Sequence, residues 1–128
     1  MKQVMLIILI AISFNSLAQD DPDAILGKWL KTPKNDLIIQ VFKEDGEYKG
    51  IINWAKDNNP KMPINYIVLE DLTYNSSKKL WTGGKIHDPN SGKTYDAEVK
   101  IATDGSLEVL GYLGFKFLGT TKYFNRIK

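Results

Sequence analysis

An all-β fold, a small antiparallel up-and-down barrel of about eight strands, is what this sequence predicts, and three observations carry it. Short apolar or alternating runs recur between Gly-, Asn-, Asp- and Pro-rich turns from residue 27 to the end, the pattern of an antiparallel meander. No long helical periodicity, repeat or low-complexity tract interrupts them. A meander of this size buries its apolar face best by closing on itself, which also removes exposed edges.

The first residues speak to compartment. Lys2 precedes an apolar run over residues 4–12, and Ser16-Leu17-Ala18 supplies small residues where a signal peptidase reads, so residues 1–18 are expected to be a signal peptide cleaved after Ala18. The competing membrane-anchor reading fails on length: residues 4–14 fall short of the ~20 apolar residues that span a bilayer, and Asn15 and Ser16 break the run. No integral span is expected after cleavage. With no cysteine, neither a lipobox nor a disulfide can form, so the expected product is an exported protein, periplasmic or secreted, and not a lipoprotein. Residues 19–26 read as a short exposed lead, polar and Pro-interrupted as far as Ala24, and residues 27–128 as one barrel domain.

Within that domain the strands follow in order. Gly27-Lys28-Trp29-Leu30 opens the first. Residues 37–44, β-branched and apolar, are stopped by Asp45-Gly46 and answered by residues 47–55, a hairpin with two possible registers. A two-residue turn puts Leu37, Ile39 and Val41 on one face with Gly50, Ile52 and Trp54; a three-residue loop groups Ile38 and Phe42 with Tyr48 and Ile52. Residues 56–63, with Asn58-Asn59-Pro60 and Pro63, form a loop. Residues 66–74 read as a strand in preference to a helical turn, because Ile67, Val68, Thr73 and Tyr74 favour it.

Residues 78–87 and 93–103 flank the turn Asp88-Pro89-Asn90-Ser91-Gly92. In the second of these strands Ala97, Val99 and Ile101 alternate with Glu98 and Lys100, so one face is wet and the other buried. Keeping Val99 and Ile101 on the face of Leu107 and Val109 requires opposing residues with an even index sum. A two-residue loop at Asp104-Gly105 cannot provide that. The three-residue loop Thr103-Asp104-Gly105 does, with Gly105 left-handed in a G1 bulge. The last pair is expected over residues 107–114 and about 117–127, joined near Gly114 and Phe115.

The run Gly84-Lys85-Ile86-His87-Asp88-Pro89-Asn90-Ser91-Gly92-Lys93-Thr94-Tyr95, followed by Gly111-Tyr112-x-Gly114 and Leu118-Gly119-x-Thr121, resembles a family of small exported bacterial proteins, domain of unknown function 2147. The likeness covers nearly all of the mature chain, from Gly27 through Gly50-Ile51-Ile52-Asn53-Trp54 to Arg126. Departures from the family pattern are His87, where relatives often carry an aromatic residue, Leu110, where they carry Arg, and the absence of a cysteine pair around the first hairpin. A Trp common near Tyr123-Phe124 is missing too. The Leu110 change implies loss of a candidate polar ligand group. Gly27-x-Trp29 also resembles the G-x-W signature of calycins, the lipocalin-like barrels, which implies closure of one barrel end by a basic side chain of the last strand stacked on that Trp. Arg126, the single arginine, stands in that strand.

Little here points to catalysis. His87, the one histidine, precedes Asp88, but neighbours in a strand face opposite ways, so a polar strand end leading into a turn explains the pair. One His and no Cys leave zinc without ligands, and Asp88-x-Asn90-x-Gly92 lacks the rest of a calcium loop. No serine sits in a nucleophile elbow, and Gly83-Gly84 and Gly111-x-x-Gly114 read as bending and packing points, not phosphate cradles. No metal and no cofactor is expected. Lysines are scattered, the formal charge of +2 includes Lys2, and no basic stretch interleaves with aromatics, so nucleic acid is not an expected partner.

The favoured function is therefore binding of an apolar or aromatic small molecule in the barrel mouth, with Trp54, Trp81 and Tyr95 as its lining and Lys85 and His87 as its polar contacts. Gly27, Trp29 and Arg126 are assigned to closure. Two alternatives stand beside it. One is an envelope structural or interaction protein with a filled barrel, docking through its outer face or residues 56–65; the other is an enzyme built on His87 or on converging Glu70, Asp71 and Asp96.

Overall fold

The computed structural model describes residues 21–127. Eight antiparallel strands close into one barrel in sequence order, β8 returning to pair with β1. They are β1 (Gly27–Thr32), β2 (Leu37–Glu44), β3 (Glu47–Ala55), β4 (Ile67–Asn75), β5 (Leu80–His87), β6 (Thr94–Ile101), β7 (Leu107–Tyr112) and β8 (Thr120–Arg126). The signal-peptide reading falls on residues 1–18, outside the described residues. No described helix is long and apolar enough to cross a membrane.

Strands β6 and β7 take the register that a shared inner face requires: Val99 pairs with Val109 and Ile101 with Leu107, the Ala102 N–H donates to the Ser106 carbonyl at 2.8 Å, and Gly105 is left-handed at φ 89°. The first hairpin takes the two-residue turn. Asp45 and Gly46 both have positive φ, and Val41 pairs with Gly50 and Ile39 with Ile52. Past Ile39 the register shifts, leaving Asn53 as an extra residue; Trp54 then lies opposite Ile38 and Ala55 opposite Leu37.

Bulges also set the parity of β4 and β5. On β5 the register shifts between Trp81 and Gly84, with Gly83 at φ 75°, so Trp81, Gly84 and Ile86 face inward while Lys85 faces out. Gly84 serves a different purpose from Gly83. A Cβ there would stand 2.6 Å from a Leu72 methyl and 2.7 Å from the Glu70 carbonyl oxygen, so the strand crosses its neighbour where only a hydrogen fits.

Two expectations are corrected at the ends of the domain. Residues 22–26 are no exposed lead. Pro22–Ile25 forms a 3-10 turn capped by Asp21, whose carboxylate accepts from the Asp23 N–H at 2.9 Å, and Ile25 is fully buried. Polar composition hid this, because one apolar side chain is enough to plug a small barrel. At the other terminus β8 starts only at Thr120; residues 113–119 form a loop with a 3-10 turn at Lys116–Leu118, leaving Phe115, Phe117 and Leu118 exposed.

The interior divides into two halves. Around the plug, Ile25, Trp29, Val41, Tyr48, Leu72 and Trp81 join Val99 and Leu107 in a continuous buried cluster. Most charged side chains of the strands stand on the outward face, as in the cross-strand pairs Lys85–Asp96 and Lys100–Glu108. A membrane-spanning barrel distributes its residues the other way, apolar outside and polar within.

Candidate functional site

At the plugged end, Trp29 and Arg126 are direct cross-strand partners, and the guanidinium lies 4.2 Å from the Trp29 ring centroid. Arg126 Nη1 donates to the Leu26 carbonyl at 2.8 Å and Nη2 to the Ala24 carbonyl. The Trp29 indole N–H donates to the Ile25 carbonyl and the Trp81 indole N–H to the Pro22 carbonyl, both at 2.9 Å. The carbonyls of Pro22, Ala24, Ile25 and Leu26 are thereby satisfied by side chains of β1, β5 and β8. Gly27, at φ 121°, leaves room for the arginine: a Cβ there would stand 3.1 Å from Nη1.

The Tyr48 hydroxyl donates to the Asp23 carboxylate at 2.5 Å, fixing the plug to β3. Burial pushes the Tyr48 hydroxyl well above its ordinary range, and the bonded carboxylate adds to this. In turn the Tyr48 hydrogen bond, aided by Lys43, outweighs desolvation and holds the Asp23 carboxyl below the usual carboxylate range.

The opposite end is open. A cavity of about 500 Å³ occupies this half of the barrel, lined by Leu37, Ile39, Leu69, Ile86, Tyr95, Val109, Gly111 and Phe124, with Lys31, Lys122, His87 and Asp88 as its ionisable groups. Side chains fill the plugged half of the interior and leave this half open. Gly111 and Thr120 add little bulk to the inner face at this end, whereas Trp29, Tyr48 and Trp81 fill the other.

Of the five residues assigned to the mouth, the structure brings together two. Tyr95 lines the cavity from β6. His87 reaches it at the rim; its Nε2 lies 2.5 Å from Glu70 Oε1 and its Nδ1 3.0 Å from Thr94 Oγ1, so its partner is Glu70 and not the adjacent Asp88. Trp54 is displaced to the outer face, 40% exposed, by the Asn53 bulge. Trp81 is buried against the plug at the far end, in contact with Tyr74 at 4.9 Å between centroids. Lys85 points outward and pairs with Asp96 at 2.5 Å. Glu70 and Asp96 share that outer face, so the carboxylates proposed for catalysis do not converge in the cavity. Leu110 also faces outward, opposite Glu98 and Thr121, so a charged side chain at this position would not reach the cavity.

Asp88 is engaged within its own turn, its carboxylate accepting from the Asn90 N–H and the Ser91 hydroxyl, both at 2.9 Å. Burial alone would raise its pKa. These hydrogen bonds, with the charge of Lys31, outweigh burial and hold the carboxyl below its ordinary range.

Sequence reasoning missed Lys31 and Lys122. Each stands two residues from a core aromatic, in Trp29-x-Lys31 and Lys122-x-Phe124, so strand alternation alone puts both on the inner face. That signal was available. The charge of a strand lysine points to solvent, and that expectation competes with the alternation here.

Residues 27–126 match the profile of a family described as "Uncharacterized protein conserved in bacteria (DUF2147)". The chain belongs to that family. Among solved structures this DUF2147 protein is similar to one described as "Protein HP1028 from the human pathogen Helicobacter pylori belongs to the lipocalin family", with 21% identity and a TM-score of 0.65 over 81% of this chain and 83% of that one. At this identity the likeness establishes a shared fold, a closed eight-stranded lipocalin-like barrel. No curated protein matches the chain.

Proposed function

We propose that this DUF2147 protein is an exported, non-catalytic carrier of a small apolar or aromatic-bearing molecule, held in the open half of the barrel. The observation that carries the reading is the cavity of about 500 Å³ with an apolar lining, a volume in the range of ~300–1,000 Å³ typical of small-molecule sites. The lipocalin-like fold supports it by analogy. Exposed apolar side chains flank the same end, Trp54, Ile64 and Ile67 on the β3–β4 side and Leu113, Phe115 and Phe117 on the β7–β8 side.

The test uses N-phenylnaphthylamine, a neutral aromatic probe that brightens in apolar surroundings. Saturable binding to the wild-type protein is expected, weakened about tenfold or more by Ile86→Trp or Val109→Phe, which put bulk into the cavity. Unsaturable wild-type binding, or binding indifferent to both substitutions, contradicts the reading.

Export rests on the Lys2, apolar-run, Ser16-x-Ala18 pattern. Intact-mass analysis of protein recovered from its own envelope fraction is expected to give a chain starting at Gln19. A full-length cytoplasmic product would overturn it.

A further inference from the structure

Most lysines on this barrel that meet a carboxylate do so on its outside. Lys49 pairs with Glu44 at 2.8 Å, Lys85 with Asp96 at 2.5 Å, Lys100 with Glu108 at 3.8 Å and Lys116 with Glu98 at 3.0 Å. Lys31 and Lys122 differ in both respects. They lie on the inner face, lining the cavity, and neither has an ion pair or side-chain hydrogen bond among the described residues.

Register places them close together. Lys31 pairs across the β1–β8 seam with Phe124, and Lys122 is two residues from Phe124 along β8, which makes the two lysines diagonal neighbours on one face, with backbones roughly 7–8 Å apart. Lys122 is also the direct partner of Val109 on β7. Two flexible ammonium groups at that spacing, rooted between Phe124 and Val109, can converge on one small anion while its tail lies against the apolar wall.

The nearby negative charges do not fill this role. Asp88 feels Lys31 electrostatically, but no ion pair forms between them and both of its oxygens accept hydrogen bonds from Asn90 and Ser91. Glu70 is bonded to His87 on the outer face. Counting Lys31, Lys122 and Asp88, the cavity's charge balance is positive; Lys31 is half-buried and Lys122 stands exposed at the mouth, so an anion entering with the ligand meets both.

We propose that the ligand is an amphipathic monoanion of the carboxylate class, its head group held between Lys31 and Lys122 and its aliphatic or aryl tail against Leu69, Ile86, Val109 and Phe124. This assignment rests on the reading of the cavity as a binding site and adds the charge of the occupant to it.

The experiment displaces N-phenylnaphthylamine from the full mature chain with dodecanoate and, separately, with dodecanol, at neutral pH, low ionic strength and monomeric lipid. Dodecanoate is expected to displace the probe at a concentration about tenfold lower than dodecanol. That ratio is expected to fall to parity in Lys31→Met/Lys122→Met, to persist in Lys31→Arg/Lys122→Arg, and to be untouched by Lys28→Met on the outer face. Rising salt should narrow it. If the double methionine variant does not fold, Lys31→Gln and Lys122→Gln singly should each lower the ratio. Probe binding with equal displacement by acid and alcohol overturns the anion assignment and leaves the apolar site standing, as does a ratio that survives loss of both lysines. Failure of the wild-type protein to bind the probe, the acid and the alcohol overturns both readings.

Discussion

Trp29→Ala is expected to cost about 3–5 kcal/mol of folding stability, the largest effect of any single substitution considered for this barrel. The side chain is fully buried, stacks under the Arg126 guanidinium at 4.2 Å and donates its indole N–H to the plug at Ile25. Its loss opens a void and leaves the Ile25 carbonyl without that donor. Arg126→Ala removes the other half of the closure, with its two hydrogen bonds to plug carbonyls. Because the two side chains touch, their effects should not add: a double-mutant cycle in denaturant is expected to give a coupling of about 0.5–2 kcal/mol. Additive losses would mean that the stacking contributes nothing and that the arginine acts through its hydrogen bonds alone.

Gly84→Val is expected to destabilise by about 3 kcal/mol, the upper end for overpacking, because one of the colliding groups is backbone. A Cβ at Gly84 would stand 2.7 Å from the Glu70 carbonyl oxygen as well as 2.6 Å from Leu72, and only the latter can move aside cheaply. Gly46→Ala is the informative contrast. Unlike Gly84, it has a positive φ, 79°, and nothing lies within 4 Å of the new methyl, so it carries backbone strain without collision. Urea midpoints for the two variants should separate widely; equal midpoints would show that close strand packing at Gly84 is not what requires glycine there.

The contrast between these glycines illustrates what was legible beforehand. The closed meander, the strand order and the Thr103-Asp104-Gly105 loop follow from alternation and turn chemistry, because Val99, Ile101, Leu107 and Val109 admit one parity only. The Trp29–Arg126 contact was reached through the G-x-W resemblance and the position of the lone arginine. The mouth was read less well. Its aromatics were assigned by strand neighbourhood, yet Asn53 and the Thr82-Gly83 region each insert a bulge that reverses or shifts the faces beyond it. A bulge is a property of two strands in register, and neither strand carries it alone. So the Asn53 bulge turned Trp54 to solvent, whereas Trp81 faces inward at the start of β5, the end of that strand away from His87 and the mouth. The lysines are the converse case: alternation from Trp29 and Phe124 puts Lys31 and Lys122 on the inner face, while their charge argues for solvent, so composition masks the pattern.

Whether the open half of the barrel holds a ligand is tested most directly by methyl-resolved NMR of the wild-type protein during titration with N-phenylnaphthylamine. Binding in the cavity predicts that the methyl signals of Leu37, Ile39, Leu69, Ile86 and Val109 move together and saturate, while those of Ile25, Leu72, Val99 and Leu107 around the plug stay in place. Absence of any shift, or shifts confined to Leu113 and Leu118 on the outer loop, would contradict it.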